Sequence, residues 1–170
     1  NHVESGAAAL VVYQTRSDLL YCTMFHFEDG NWGTTAMSTL EATRWLPGPV
    51  SVEIAGSSGS LGDYTYAAGR VSERVAEVVL DDGAGGRSQA KVTRGTFVVF
   101  SLDGSLTASG AGTLIAYDAD GVELVRRPGF RPQPGHCYVD PAGRPVNPAN
   151  EPITDEGRCQ PAEPWTGRSG

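Results

Sequence analysis

The sequence predicts an all-β domain: an antiparallel β-sandwich, immunoglobulin-like or an open barrel, with a proline-rich C-terminal tail. Three observations carry that expectation. Between residues 69 and 124 apolar residues alternate with polar ones or gather in short β-branched runs, and nothing there repeats at helical spacing. The 22 glycines and 11 prolines fall largely between these runs, as in a chain of short strands and turns. Asp120-Gly121 joins two strand-like runs, and glycine tolerates the positive φ that tight hairpin turns require.

The elements follow in order. Asn1–Gly6 is polar and expected to fray. Ala7–Tyr13 reads as a strand because its β-branched pair and Tyr13 outweigh the alanines. Leu19–Phe27 is a second strand, with Leu20, Cys22, Met24 and His26 on one side and Tyr21, Phe25 and Phe27 on the other. The two form a hairpin across Thr15–Asp18. Glu28-Asp29-Gly30-Asn31 is a turn. From Trp32 to Trp45 the pattern is ambiguous: Met37–Ala42 admits a helical turn or two, with Ser38 and Glu41 as a capping box, or a short strand. Strand or coil is preferred. Leu46-Pro47-Gly48-Pro49 ends that segment.

Val50-Ser51-Val52-Glu53-Ile54 alternates, which sends Val50, Val52 and Ile54 inward. Gly56–Ser60 reads as a flexible loop and Tyr64–Val71 as a strand. Val75–Leu80 follows, then a break at Asp81-Asp82-Gly83 and Gly85-Gly86. Gln89–Thr93 is a further alternating strand. After Gly95, Thr96–Phe100 is apolar on both faces, so it is expected to be central and covered on both sides. Thr113–Tyr117 and Val122–Val125 pair across Asp118-Ala119-Asp120-Gly121.

Two regions result: a β-sandwich domain over 1–125, and a tail over 126–170 that holds nine of the prolines. Proline lacks an N–H donor and disfavours central strands and helix interiors. The tail is expected to wrap the domain, pinned by a disulfide and docked by Trp165. Three cysteines allow three single pairings. Cys137–Cys159 is favoured because little else holds the loop between them, and closing it contributes about 3 kcal/mol in the chain-entropy model. Three free thiols in a reducing compartment is the other arrangement. Cys22, in an apolar run, is expected to be a buried, inert thiol. A disulfide implies an oxidising location.

The net charge of −7, with Lys91 the only lysine, argues against nucleic acid, which demands a basic face. No apolar run reaches membrane-spanning length. The chain begins at Asn1 without a signal-peptide core, so any membrane attachment is expected through a removed N-terminal anchor.

The run Val50-Ser51-Val52, Gly56-Ser57-Ser58-Gly59, Gly69-Arg70-Val71, Val75–Gly83, Ala90-Lys91-Val92, Gly95-Thr96-Phe97 and Ala116–Gly121 resembles a recurring actinobacterial pattern. It is similar to extracytoplasmic all-β domains of unknown function that follow a single membrane-spanning helix. The likeness spans residues 50–124 and rests on glycines and turns. It implies a fold and an outer-face location, and it transfers no catalytic residue.

Chemical motifs are sparse. Gly56–Ser60 lacks the G-x-S-x-G spacing of a nucleophile elbow and the Gly-Lys-Ser/Thr ending of a phosphate loop. Asp118, Asp120 and Gly121 match the start of a calcium loop, but Gly129 stands where that loop needs its glutamate. A hairpin turn accounts for them. His2, His26 and His136 are scattered without zinc spacing. No catalytic, cofactor-binding or metal residue is assigned, and no cofactor is expected. Trp32, Trp45, Tyr64 and Tyr66 are candidates for a binding face, with core or tail-docking roles as the plainer account. The expected function is a non-enzymatic sensor or partner-binding module, for an unknown protein or small ligand, of a membrane-anchored or secreted bacterial protein. The alternatives are a small secreted hydrolase using His26 with nearby carboxylates, and a carbohydrate-binding module.

Overall fold

The structure, a computed structural model, describes residues 1–5, 8–15, 18–26, 30–41, 43–58, 64–81, 85–101, 112–128, 137–146 and 159–167. In chain order the first strands are β1 (His2–Ser5), β2 (Ala8–Gln14), β3 (Asp18–His26), β4 (Trp32–Glu41), β5 (Trp45–Leu46) and β6 (Val50–Ser58). Then come β7 (Tyr64–Val71), β8 (Glu77–Asp81), β9 (Arg87–Gln89), β10 (Lys91–Thr93) and β11 (Thr96–Ser101). β12 (Thr113–Tyr117), β13 (Glu123–Pro128), β14 (Tyr138–Val139), β15 (Gln160–Pro161) and β16 (Glu163–Pro164) complete the set. No helix occurs among the described residues.

Three four-stranded antiparallel sheets result, ordered β1-β2-β3-β4, β10-β11-β7-β6 and β13-β12-β8-β9. They form a layered sandwich rather than a closed barrel. The second sheet lies in the middle, because its strands bury both faces. Val98 and Phe100 of β11 and Ala68 of β7 pack with Leu10, Leu19, Tyr21 and Phe25 of the first sheet. Their neighbours Phe97, Val99 and Ala67 pack with Val78, Leu80 and Leu114 of the third. Successive side chains point to opposite faces of a strand, so one apolar run serves two cores. The two-sided burial expected of Thr96–Phe100 is therefore observed.

Several turns match their residues. Asp118 Oδ1 accepts hydrogen bonds from the Asp120 and Val122 amides at 2.9 and 2.8 Å, and Gly121 takes φ 78°. This Asx turn joins β12 to β13. Arg94 and Gly95 both have positive φ, 50° and 72°, the geometry that a two-residue hairpin loop between β10 and β11 requires. Of the ambiguous Trp32–Trp45 segment, Trp32–Glu41 is strand, not helix: β4 pairs along the whole of β3, and Ala42 lies outside the described residues.

Other expectations are corrected. Asn1–Gly6 does not fray as far as it is described: β1 pairs with β2, and Asn1 Nδ2 donates to the Lys91 carbonyl at 3.0 Å. Gly56–Ser58 is not loop but the end of β6, paired with β7 through Ser58↔Tyr64. Residues 59–63 lie outside the described set. Gln89–Thr93 is not one strand. β9 pairs with β8 in the third sheet and β10 with β11 in the second, and buried Ala90 marks the crossing. Val50, Val52 and Ile54 do not share a face. Val50 and Val52 join the core beneath the third sheet, whereas Ile54 packs on the core beneath the first. The cause is a bulge: Val52 is opposite Gly69, Ile54 is opposite Ala68, and Glu53 is the extra residue.

Of the residues assigned to the tail, 126–128, 137–146 and 159–167 are described, the first three as the end of β13. Cys137 and Cys159 form the expected disulfide, with Cα atoms 4.4 Å apart, and Cys22 is a buried free thiol. β14 and β15 pair in parallel beside the disulfide, and β16 pairs with β5. Trp165 is buried in the core between the first and second sheets. Its Nε1 donates to the Gly95 carbonyl at 2.8 Å. Replacing both Cys137 and Cys159 by serine is expected to lower the unfolding free energy by about 3 kcal/mol, read by urea unfolding. An unchanged midpoint would show that the crosslink holds nothing the packing does not.

Candidate binding cleft

β4 is an edge of the first sheet and β6 an edge of the second. Between these edges lies a half-open cleft of about 330 Å³. Tyr21 reaches it from β3, Met37 and Ser38 from β4, Glu53, Ile54 and Ala55 from β6, and Tyr66 from β7.

The bulge in β6 explains why both Glu53 and Ile54 are there. An extra residue re-aims the side chains that follow it, and such bulges recur at edges and functional sites. Glu53 meets Arg70 on the neighbouring strand: Arg70 Nε donates to Glu53 Oε1 at 2.8 Å, with the side chains 7% and 13% exposed. Arg70 Nη1 also donates to the Thr43 carbonyl at 2.7 Å. The guanidinium carbon stands 5.2 Å from the centroid of the Trp165 ring. A charge so deeply placed is tolerated only when paired and hydrogen-bonded, and Arg70 is both. Glu53 Oε2 engages none of the described residues.

Tyr21 is fully buried, yet its hydroxyl has no hydrogen-bond partner among the described residues. Leaving such a group unsatisfied costs about 1–3 kcal/mol. Burial pushes its ionisation well above the ordinary tyrosine range, the Glu53 charge adds to the rise, and Arg70 opposes it. The phenol therefore stays neutral, able both to donate and to accept. Tyr66 is half-buried, its ring 6.0 Å from that of Phe100. Gly56 leaves room for it, since a Cβ there would come within 2.6 Å of Tyr66 Oη. The cleft thus presents hydrogen-bonding groups without net charge beside an apolar wall.

The candidates named from sequence are scattered. Tyr66 lines the cleft. Trp32, 42% exposed, lies on β4 with its ring edge-on to His26 at 5.3 Å. Trp45 is half-buried on β5, with the Arg44 guanidinium 5.9 Å from its ring centroid. Tyr64 begins β7 opposite Ser58, its side chain outside the described set. His26 is exposed at the end of β3, and the neighbouring Glu28 and Asp29 are not described. His136 lies outside the described residues as well. Among the described residues no group of three or more His, Cys, Asp or Glu side chains is placed to hold a metal ion, and no helix is long and apolar enough to cross a membrane. Comparison with protein-family models, curated proteins and solved structures finds no match.

Tyr21, Glu53 and Arg70 were not singled out from sequence. The one available signal was a carboxylate and a guanidinium embedded in otherwise apolar strand runs, where an unpaired charge is costly.

Proposed function

We propose that the chain is a non-enzymatic binding module that works outside the cytoplasm, as part of a secreted or membrane-anchored bacterial protein, and that the β4/β6 cleft takes its ligand. The observation that carries this reading is the buried hydroxyl of Tyr21, a residue lining the cleft, which has no partner among the described residues. Buried polar groups in native proteins are almost always satisfied, and a ligand would supply the missing partner. The chemistry favours binding over catalysis. The phenol is held neutral by burial, and Glu53 is engaged with Arg70. The Cys137–Cys159 disulfide supports an oxidising compartment, and the likeness of residues 50–124 to actinobacterial outer-face domains is consistent with it.

Tyr21→Phe tests the central premise. Deleting an unsatisfied buried hydroxyl is expected to stabilise the free protein by about 1 kcal/mol, measured by urea unfolding. A loss of that size would mean that the hydroxyl already has a partner, and the reading would fail.

A further inference from the structure

We infer that the ligand of the β4/β6 cleft is a neutral sugar ring, an inference that rests on the binding reading above. Charge comes first. Glu53, which lines the cleft, is offset by Arg70 across 2.8 Å, and among the described residues no other ionised side chain lines it. Neither a cation nor an anion therefore finds an uncompensated counter-charge. Hydrogen bonding narrows the choice. Glu53 Oε2 can only accept, whereas the Tyr21 hydroxyl can accept or donate. A ligand must donate at one point and do either at the other. Hydroxyl groups meet both demands. A carboxylate or phosphate offers only acceptors and would oppose Glu53.

The second wall has a different character. Met37, Ile54, Ala55 and the Tyr66 ring present apolar surface. A pyranose carries hydroxyls around its rim and C–H groups on its faces, so it addresses both walls at once. Aromatic rings with a polar tip suit such two-sided contacts. Size agrees: about 330 Å³ is at the small end of ligand sites, enough for a single ring. The same chemistry is offered by a free monosaccharide and by the terminal residue of a glycan.

The test uses the full chain with its disulfide intact, labelled with ¹⁵N. D-glucose, D-galactose, D-mannose and N-acetylglucosamine are titrated singly, and a glycan array is probed in parallel. At least one sugar is expected to shift the amides of Met37, Ser38, Glu53, Ile54 and Ala55 saturably. Tyr21→Phe is expected to weaken it about tenfold, the loss of one good hydrogen bond. Response to free sugars identifies a soluble ligand, and response on the array alone a glycan terminus; both support the inference. Full affinity in Tyr21→Phe overturns it. If no sugar moves those amides but a general library of amides and short peptides does, the sugar assignment falls and the binding reading survives. If neither set moves them, both fall.

Discussion

Phe97→Ala is expected to lower the unfolding free energy by about 3–5 kcal/mol, the range for removing a buried aromatic ring. Phe97 is fully buried on the central strand β11, in the core shared with Val78, Leu80 and Leu114. The cost depends on how far the surroundings collapse into the hole, and here collapse is obstructed. The ring lies over Gly69, where a Cβ would approach Phe97 Cε1 to 2.9 Å. A methyl at Gly69 cannot refill the space, because the same Cβ would clash with the Ser51 carbonyl oxygen. β11 is also hydrogen-bonded on both sides, to β10 and β7, so it cannot shift without breaking a ladder. At roughly 2–4 °C per kcal/mol for a chain of this size, the melting temperature should fall by about 10 °C. Urea unfolding with circular dichroism measures both. A loss below about 1 kcal/mol would show that the two outer layers close over the gap, contrary to a rigid three-layer stack.

Trp165→Ala is expected to cost about 3–5 kcal/mol as well, although the residue lies far along the chain from the sheets it joins. Trp165 is 3% exposed and packs with Leu10, Leu46, Ala68 and Val98. Its Nε1 satisfies the Gly95 carbonyl in the β10–β11 turn, and its ring lies against the Arg70 guanidinium. Removing it opens a cavity, takes one of two donors from the Gly95 carbonyl, which keeps the Val71 amide at 2.9 Å, and takes one support from Arg70. Trp165→Phe separates these effects: it keeps much of the buried surface and loses the N–H donor, so its cost should be smaller by about 1–2 kcal/mol. Urea unfolding of both variants is the measurement. Equal stability of Trp165→Ala and the parent would mean that residues 159–167 do not contribute to the core.

The strands themselves were legible because alternation is a local property. Each of Ala8–Gln14, Asp18–His26, Thr96–Ser101 and Thr113–Tyr117 carries its own signal, and Asp118-Ala119-Asp120-Gly121 carries its turn. The prediction failed where one residue changed the partner or the face. Ala90 ends one sheet's strand and begins another's within an unbroken polar–apolar pattern. Glu53 looks like an ordinary polar position in an alternating strand, yet as a bulge it sends Ile54 to the opposite core from Val52. Asn1 looked frayed because nothing local holds it; its partners are Val12, Lys91 and Thr96.

The cleft was less legible still. Tyr66 was named, but as one of several aromatics. Tyr21, Ser38, Glu53 and Arg70 come from four strands, and no short-range spacing relates them. What the amino-acid order determined alone was the pleated, two-faced character of each strand and the hairpin turns; it favoured the Cys137–Cys159 link because little else holds the loop between those cysteines. Which edges stand side by side, and therefore where a tyrosine hydroxyl is buried with no partner among the described residues, was decided only when the sheets stacked. Backbone pairing depends on neighbouring residues in sequence, whereas burial of a polar group depends on everything the fold brings around it.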